Sequence, residues 1–203
     1  MKLVLLTKSY KDGKYCVAGI DYFTSKWVRL VSNDENYCGA IDNNDLIYEE
    51  GSIAEPLDLI KVNVNDSPIN YRFQKENVLL NQKYAISKIK KLSLNEFINF
   101  YSPENHEVIF GNRYGIIDKD SDILNEVNSS LVFIKVNNLQ IFKDNKAIFD
   151  HNGSKYYYYS VTDPDYRHND LKIPSAYIVV SFPEHYYSQT KKYYKFIAKI
   201  FTL

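Results

Sequence analysis

The chain is poor in the residues that most often carry covalent frames or metal chemistry. Among 203 residues there are two cysteines, four histidines, one tryptophan and one methionine. Two thiols, Cys16 and Cys38, are too few for a disulfide framework. Both read as reduced, and Cys16 sits in the apolar string Cys16-Val17-Ala18, as a buried structural thiol would. His106, His151, His168 and His185 stand singly. No Cys-x-x-Cys, His-x-Glu or His-x-x-x-His pair offers zinc its ligands. The string from Phe110 to Gly115 holds two glycines but no Lys-Ser/Thr, so it is not a phosphate loop. Gly-x-Ser-x-Gly is missing. Asp118, Asp120 and Asp122 imitate the start of a calcium loop without its glycine and closing glutamate, and read as a solvated acidic loop. The expectation is a protein with no metal, no cofactor and no catalytic centre.

Net charge is also lacking, with 25 basic against 25 acidic side chains. That excludes a histone-like binder of nucleic acid and a polyacidic tail. No apolar run approaches membrane-spanning length. Leu3 to Leu6 is too short for the apolar core of a secretory leader, so a cytoplasmic protein with no membrane partner is expected.

What is abundant is tyrosine (19), phenylalanine (11), asparagine (20) and lysine, 21 against 4 arginines. These residues have AT-rich codons, so codon bias and function are both open as sources of the tyrosine excess. Period-two patterning runs through most of the chain. Leu3 to Leu6 reads as a strand apolar on both faces. Tyr15 to Phe23 follows a turn at Lys11-Asp12-Gly13, and Lys26 to Ser32 is a third strand. Asp34 to Glu55 reads as an extended loop. Leu59 to Asn65 and Glu76 to Leu80 read as strands. One helix is expected after Ser93, where Glu96 completes a capping box and Leu94, Phe97, Ile98 and Tyr101 share a face. Residues 104–130 carry no clear period. Period two returns at Val132 to Val136. Lys146 to Asp150 and Lys155 to Val161 flank Asn152-Gly153, a hairpin signal. Tyr177 to Phe182 and Lys192 to Phe201 complete the set. Two groups of about five strands suit two small barrels, residues 1–100 with the helix and residues 101–203. One continuous sandwich is the structural alternative.

Four strings carry a family likeness: Tyr15-Cys16-Val17-Ala18-Gly19-Ile20-Asp21, Trp27-Val28-Arg29-Leu30-Val31-Ser32, Tyr159-Ser160-Val161-Thr162-Asp163-Pro164 and Tyr193-Tyr194-Lys195-Phe196-Ile197-Ala198-Lys199-Ile200. In this order they resemble the bacterial dual OB-fold proteins, over nearly the whole chain. The resemblance implies a mainly β fold of two tandem OB-like barrels with one linking helix. It also implies nucleic acid as a partner class, by analogy with other OB barrels.

Four consecutive tyrosines, Tyr156, Tyr157, Tyr158 and Tyr159, are the most conspicuous feature. On a strand two would point inward and two outward, and the outer rings could stack bases. Charge is uneven along the chain: eight acids and no base lie between Arg29 and Lys61, whereas Lys191, Lys192, Lys195 and Lys199 follow Glu184 with no acid. Lysines interleaved with aromatics suit a single-strand groove, and they equally suit a sheet edge protected from aggregation. Trp27 and Arg29 share a strand face, open to a core or rim role as well as to stacking. Arg167 and His168 lie in a polar loop after the tyrosine strand. Trp27, Arg29, the four tyrosines, Arg167, His168, Lys191, Lys192 and Lys195 form the candidate nucleic-acid-binding set. The function expected is a non-enzymatic binding module for single-stranded DNA or RNA. The alternatives are a protein-interaction adaptor serving a separately encoded enzyme, or a small-nucleotide-binding barrel.

Overall fold

A computed structural model describes residues 1–11, 13–33, 39–66 and 71–202. Asp12 of the first turn, Asp34 and Glu35 of the acidic stretch, and Cys38 lie outside the described residues. The chain forms two compact units, Met1–Asn70 with Glu76–Ser102, and Tyr71–Lys75 with Pro103–Leu203.

The first unit is one sheet built from β1 (Lys2–Lys11), β2 (Lys14–Asp21), β3 (Trp27–Val31), β4 (Asp58–Lys61), β5 (Val64–Asp66), β6 (Asn77–Leu80) and β7 (Ser87–Lys91). Its order is β5-β6-β3-β2-β1-β4-β7. Only Val62 and Asn63 separate β4 from β5, and both stay in the ladder. The Val62 amide donates to the Met1 carbonyl at 3.0 Å and the Asn81 amide to the Asn63 carbonyl at 2.9 Å. One bent strand therefore pairs with β1 at its start and with β6 at its end, and the sheet curls back on itself. Leu3 to Leu6 are all buried, as a strand apolar on both faces requires. Gly19 lets β2 close on β1: a Cβ there would sit 2.0 Å from the Val4 carbonyl oxygen. The helix α1 (Leu94–Phe100) forms with its capping box, Ser93 accepting from the Glu96 amide, and buries Phe97.

The second unit contains β8 (Ile116–Asp118), β9 (Leu131–Ile141), β10 (Lys146–His151), β11 (Ser154–Val161), β12 (Leu171–Ser181), β13 (Lys192–Tyr194) and β14 (Phe196–Thr202). Five of these close a barrel in the order β10-β11-β14-β12-β9. The third strand, β11, runs parallel to the last, β14, and the other neighbours are antiparallel. The first unit repeats this connectivity, with β3 parallel to β6. The mainly β architecture of two OB-like units expected from the patterning is therefore present, the second closed as a barrel and the first a curled sheet. Asn152 and Gly153 make the β10–β11 turn with φ of 50° and 71°, the left-handed pair that a tight hairpin needs.

The second unit also takes in a segment remote in sequence, Tyr71–Lys75. The Glu184 carboxylate accepts from three successive amides, those of Arg72 (2.7 Å), Phe73 (2.9 Å) and Gln74 (3.0 Å). Phe73 enters the core edge-on to Phe182 and Tyr193.

A buried carboxylate ties the edge strand β7 to β4. Asp58 Oδ2 accepts from the Tyr48 hydroxyl (2.9 Å) and the Glu55 amide (3.0 Å). Its Oδ1 lies 2.9 Å from the Lys88 ammonium and 3.5 Å from that of Lys91. Burial alone would raise the Asp58 pKa; Lys88, the Glu55 amide and Tyr48 outweigh it and hold the carboxyl below its ordinary value. A carboxyl with a depressed folded pKa contributes stability above its unfolded value, and loses it as pH falls through the folded one. Asp58→Asn should therefore lower unfolding free energy at neutral pH by about 2–3 kcal/mol. The gap from wild type should close below about pH 3.8. Urea melts across that range check both.

Candidate nucleic-acid interface

The tyrosine run lies on β11, and its outcome is set by a slip in the ladder. Ala147 pairs with Tyr159 but Phe149 pairs with Tyr156, so Tyr157 and Tyr158 together face the single residue Ile148. This is a β-bulge, and Tyr158 takes it up with φ of 60°. Strict alternation would send Tyr156 and Tyr158 to one side. Instead Tyr156 and Tyr159 both turn inward and are wholly buried. Tyr156 stacks on Phe149 at 5.2 Å, and Tyr159 meets Phe149 edge-on at 5.0 Å. Neither can reach a base, which corrects their place in the candidate set. Tyr157 is half-buried and Tyr158 is 60% exposed.

The bulge receives the segment Arg113–Gly115, the end of the string from Phe110 to Gly115, whose two glycines mark it only as something other than a phosphate loop. The Tyr157 amide donates to the Arg113 carbonyl at 2.9 Å, the Gly115 amide to the Tyr157 carbonyl at 2.8 Å, and the Lys195 amide to the Gly115 carbonyl at 2.8 Å. A Cβ on Gly115 would sit 2.2 Å from the Tyr158 carbonyl oxygen, so the approach demands glycine. The Tyr114 ring then stacks on Tyr157, with centroids 5.7 Å apart and planes at 25°, and stays 54% exposed. Two residues on, Ile116 in β8 pairs with Tyr194 in β13. The Tyr194 ring carries the Lys146 ammonium at 5.5 Å and meets Tyr187 edge-on at 6.3 Å. Lys146 also donates to the Ser160 hydroxyl at 2.8 Å. Tyr158, Tyr157 and Tyr114 make one run of rings and Tyr194 and Tyr187 a second, and the β8–β13 ladder joins the two stretches of chain; together they are called the tyrosine belt. Sequence reasoning found Tyr157 and Tyr158 as candidates. It missed Tyr114 and Lys146 because nothing local marks their contacts.

The expected cations are only partly available. Lys191 is exposed and Lys192 half-buried, 3.8 Å from Asp118. Lys195 is fully buried, which removes it from any phosphate contact. Its ammonium donates to the Ile109 carbonyl (2.7 Å), the Asn112 carbonyl (2.7 Å) and Asn112 Oδ1 (2.9 Å). Burial pushes its pKa down to about 6. Lys199 is bound to Asp163 at 3.2 Å and Asp165 at 2.5 Å. Burial raises the Asp163 pKa against the pull of Lys199 and of the Ile200 and Asp165 amides. Arg167 and His168 lie in the loop that Asp163 organises. The Arg167 amide donates to the Asp163 carbonyl at 3.2 Å, and the His168 amide donates to Asn145 Oδ1 at 2.6 Å, one residue before Lys146. Trp27 and Arg29 belong to the first unit and are not part of the belt. Trp27 meets Tyr101 edge-on at 6.4 Å, and the buried Arg29 lies 3.2 Å from Glu76.

Among the described residues no group of three or more His, Cys, Asp or Glu side chains is placed to hold a metal, and no helix is long and apolar enough to cross a membrane. A family model described as a dual OB-containing domain matches residues 1–200. No curated protein and no solved structure matches the chain.

The bulge separates the four tyrosines by consequence. Tyr156→Ala should cost about 3–5 kcal/mol of stability, as loss of a buried aromatic does. Tyr158→Ala should stay within about 0.5 kcal/mol. The Tyr159 hydroxyl is buried with no hydrogen-bond partner among the described residues, and burial pushes its pKa well up. Tyr159→Phe should therefore stabilise the barrel by about 1 kcal/mol or more. Urea melts of the three variants check the register: equal losses for Tyr156→Ala and Tyr158→Ala would contradict it.

Proposed function

The chain belongs to the dual OB-containing domain family, and from that premise we propose that its second unit is a non-catalytic module that binds single-stranded nucleic acid in the cytoplasm. The tyrosine belt is the observation that carries the reading. Barrels of this connectivity take oligonucleotides across their second and third strands, with help from the loops after the first and fourth strands. In the second unit those strands are β10 and β11. Lys146 and Tyr158 lie on them, Asn145 and His168 meet at the turn after β9, and Tyr187 and Tyr194 follow β12. Rings from separate stretches of chain lie on or beside the elements that receive ligand in this architecture, and this supports the reading. Each base stacked on a ring is worth roughly 1–3 kcal/mol without regard to sequence. Duplex DNA hides the base faces that the belt would use.

The first unit supplies the observation for a second reading, a protein-interaction adaptor. Phe23 is 72% exposed on the β2–β3 turn. Asp21 Oδ1 fixes that turn by accepting from the Phe23 amide (3.0 Å), the Thr24 amide (2.7 Å) and the Thr24 hydroxyl (2.9 Å). A large apolar ring held out rigidly suits a pocket on a partner protein.

Fluorescence anisotropy with labelled single-stranded DNA, single-stranded RNA and duplex at two salt concentrations separates the readings. Single strands should bind and duplex should not. Two or three phosphate contacts at about 0.7 each give a logarithmic salt slope of roughly 1.5–2. Tyr158→Ala or Tyr114→Ala should weaken binding by roughly 1–3 kcal/mol at an unchanged slope, and Phe23→Ser should leave it intact. No binding to any single strand at low salt would remove the nucleic-acid reading and leave the adaptor.

A further inference from the structure

Lys195 follows Tyr194 directly, yet its side chain is sealed in the second unit. Its Nζ has three acceptors within 2.9 Å, all neutral oxygens on Ile109 and Asn112, enough for every N–H it carries in either protonation state. Among the described residues no carboxylate pairs with it, and the Tyr159 ring lies 5.6 Å from Nζ. An ion pair is therefore not the reason for a lysine here. A methionine would fill similar space without a charge to desolvate. What the amino group adds is direction, because its bonds to Ile109 and Asn112 fix where the 109–112 stretch runs.

That stretch needs fixing. Phe110 and Gly111 are consecutive left-handed residues, with φ of 48° and 76°. For a bulky L-residue that region costs roughly 1–2 kcal/mol. Asn112 then joins Lys195 to the belt. Its Oδ1 accepts from Lys195 Nζ and also from the Tyr114 amide at 2.9 Å, while its Nδ2 donates to the Ile116 carbonyl at 3.1 Å. The main chain on both sides of Tyr114 hangs from one side chain, and that side chain hangs from Lys195.

We infer that Lys195 is a positioning residue for the proposed nucleic-acid face: through Asn112 it holds the Tyr114 ring on Tyr157, without itself touching ligand. The inference rests on the stacking role given above to the belt.

Full-length Lys195→Met, Tyr114→Ala and the double variant test it by anisotropy with labelled single-stranded DNA. Lys195→Met should lose roughly tenfold in affinity, within the range for coupled neighbours. Its salt slope should not change, since Lys195 meets no phosphate. In the Tyr114→Ala background the loss should vanish. Equal fold losses in both backgrounds would mean a general packing role and overturn the inference. Hydrogen exchange gives a readout that needs no ligand. The Gly115 and Tyr157 amides, which close this contact, should exchange faster in Lys195→Met, while the β9–β12 ladder amides should not. If Lys195→Met fails to fold, Asn112→Ala cuts the link to Tyr114 and leaves Lys195 two backbone acceptors; the same two signatures are expected. Unchanged exchange at Gly115 and Tyr157 overturns the positioning role. A wild-type chain that binds no DNA overturns the belt's function instead.

Discussion

The contact of Gly115 with the Tyr158 carbonyl is the constraint on which the second unit turns. β11 and β14 share only two paired positions, Ser160 with Phe196 and Val161 with Ile197. Earlier along β11, at Tyr157, the strand is bonded to Arg113 and Gly115, and the Lys195 amide donates to the Gly115 carbonyl. The segment fills a gap in the barrel wall. It fits only because residue 115 has no Cβ and because Tyr157 and Tyr158 bulge to meet it. The bulge sends Tyr156 and Tyr159 into the core and leaves Tyr158 out. The docking brings Tyr114 onto Tyr157. Barrel closure and the aromatic surface are thus one event: neither can be altered without the other.

The two units show what that insertion adds. They share a strand order, including the parallel pairing of third and last strands. In the first unit a different stretch meets the comparable strands: Ile41 exchanges two backbone hydrogen bonds with Tyr15 of β2 and the Ser32 amide after β3 donates to the Gly39 carbonyl, and the one arginine there is folded inward against Glu76. Its buried polar centre, Asp58 with Tyr48, secures an edge strand. In the second unit the stretch before β9 supplies β8, Tyr114 and the acceptors for Lys195. Equal scaffolds therefore carry different surfaces because of chain outside the five barrel strands.

Features encoded by neighbouring residues were legible in the sequence. Ser93 and Glu96 announce α1 because a capping box is a four-residue object. Asn152-Gly153 announces the hairpin because the turn needs two left-handed residues in a row. Leu3 to Leu6 announce a strand with two buried faces. Features set by distant partners were not legible. A run of four tyrosines holds no mark of where its phase will slip, since the slip is imposed by Gly115 more than forty positions earlier. Lys195 and Lys199 look alike in an alternating strand. One falls at the break between β13 and β14 and points to the carbonyls of Ile109 and Asn112; the other meets Asp163 and Asp165. Phe73 lies between two strands of the first unit in sequence and ends in the core of the second. In each case the deciding partner is far along the chain, so no local period could report it.

The same geometry bears on the tyrosine excess. Codon bias scatters tyrosine without regard to where the chain will fold, and several of these residues, Tyr48, Tyr156 and Tyr159 among them, are simply core. The belt has a different character. Its rings come from three stretches, Tyr114, then Tyr157 and Tyr158, then Tyr187 and Tyr194, which meet through a bulge, a glycine contact and a short ladder. Two of the four lysines that would have given this unit a positive strip are spent internally. A face that keeps its rings and gives up cations is poorly suited to gripping a phosphate backbone and well suited to bases that are already unpaired. Under the proposed function, stacking would supply most of the affinity, and discrimination against duplex would follow from the same source, because a paired base has no free face to offer.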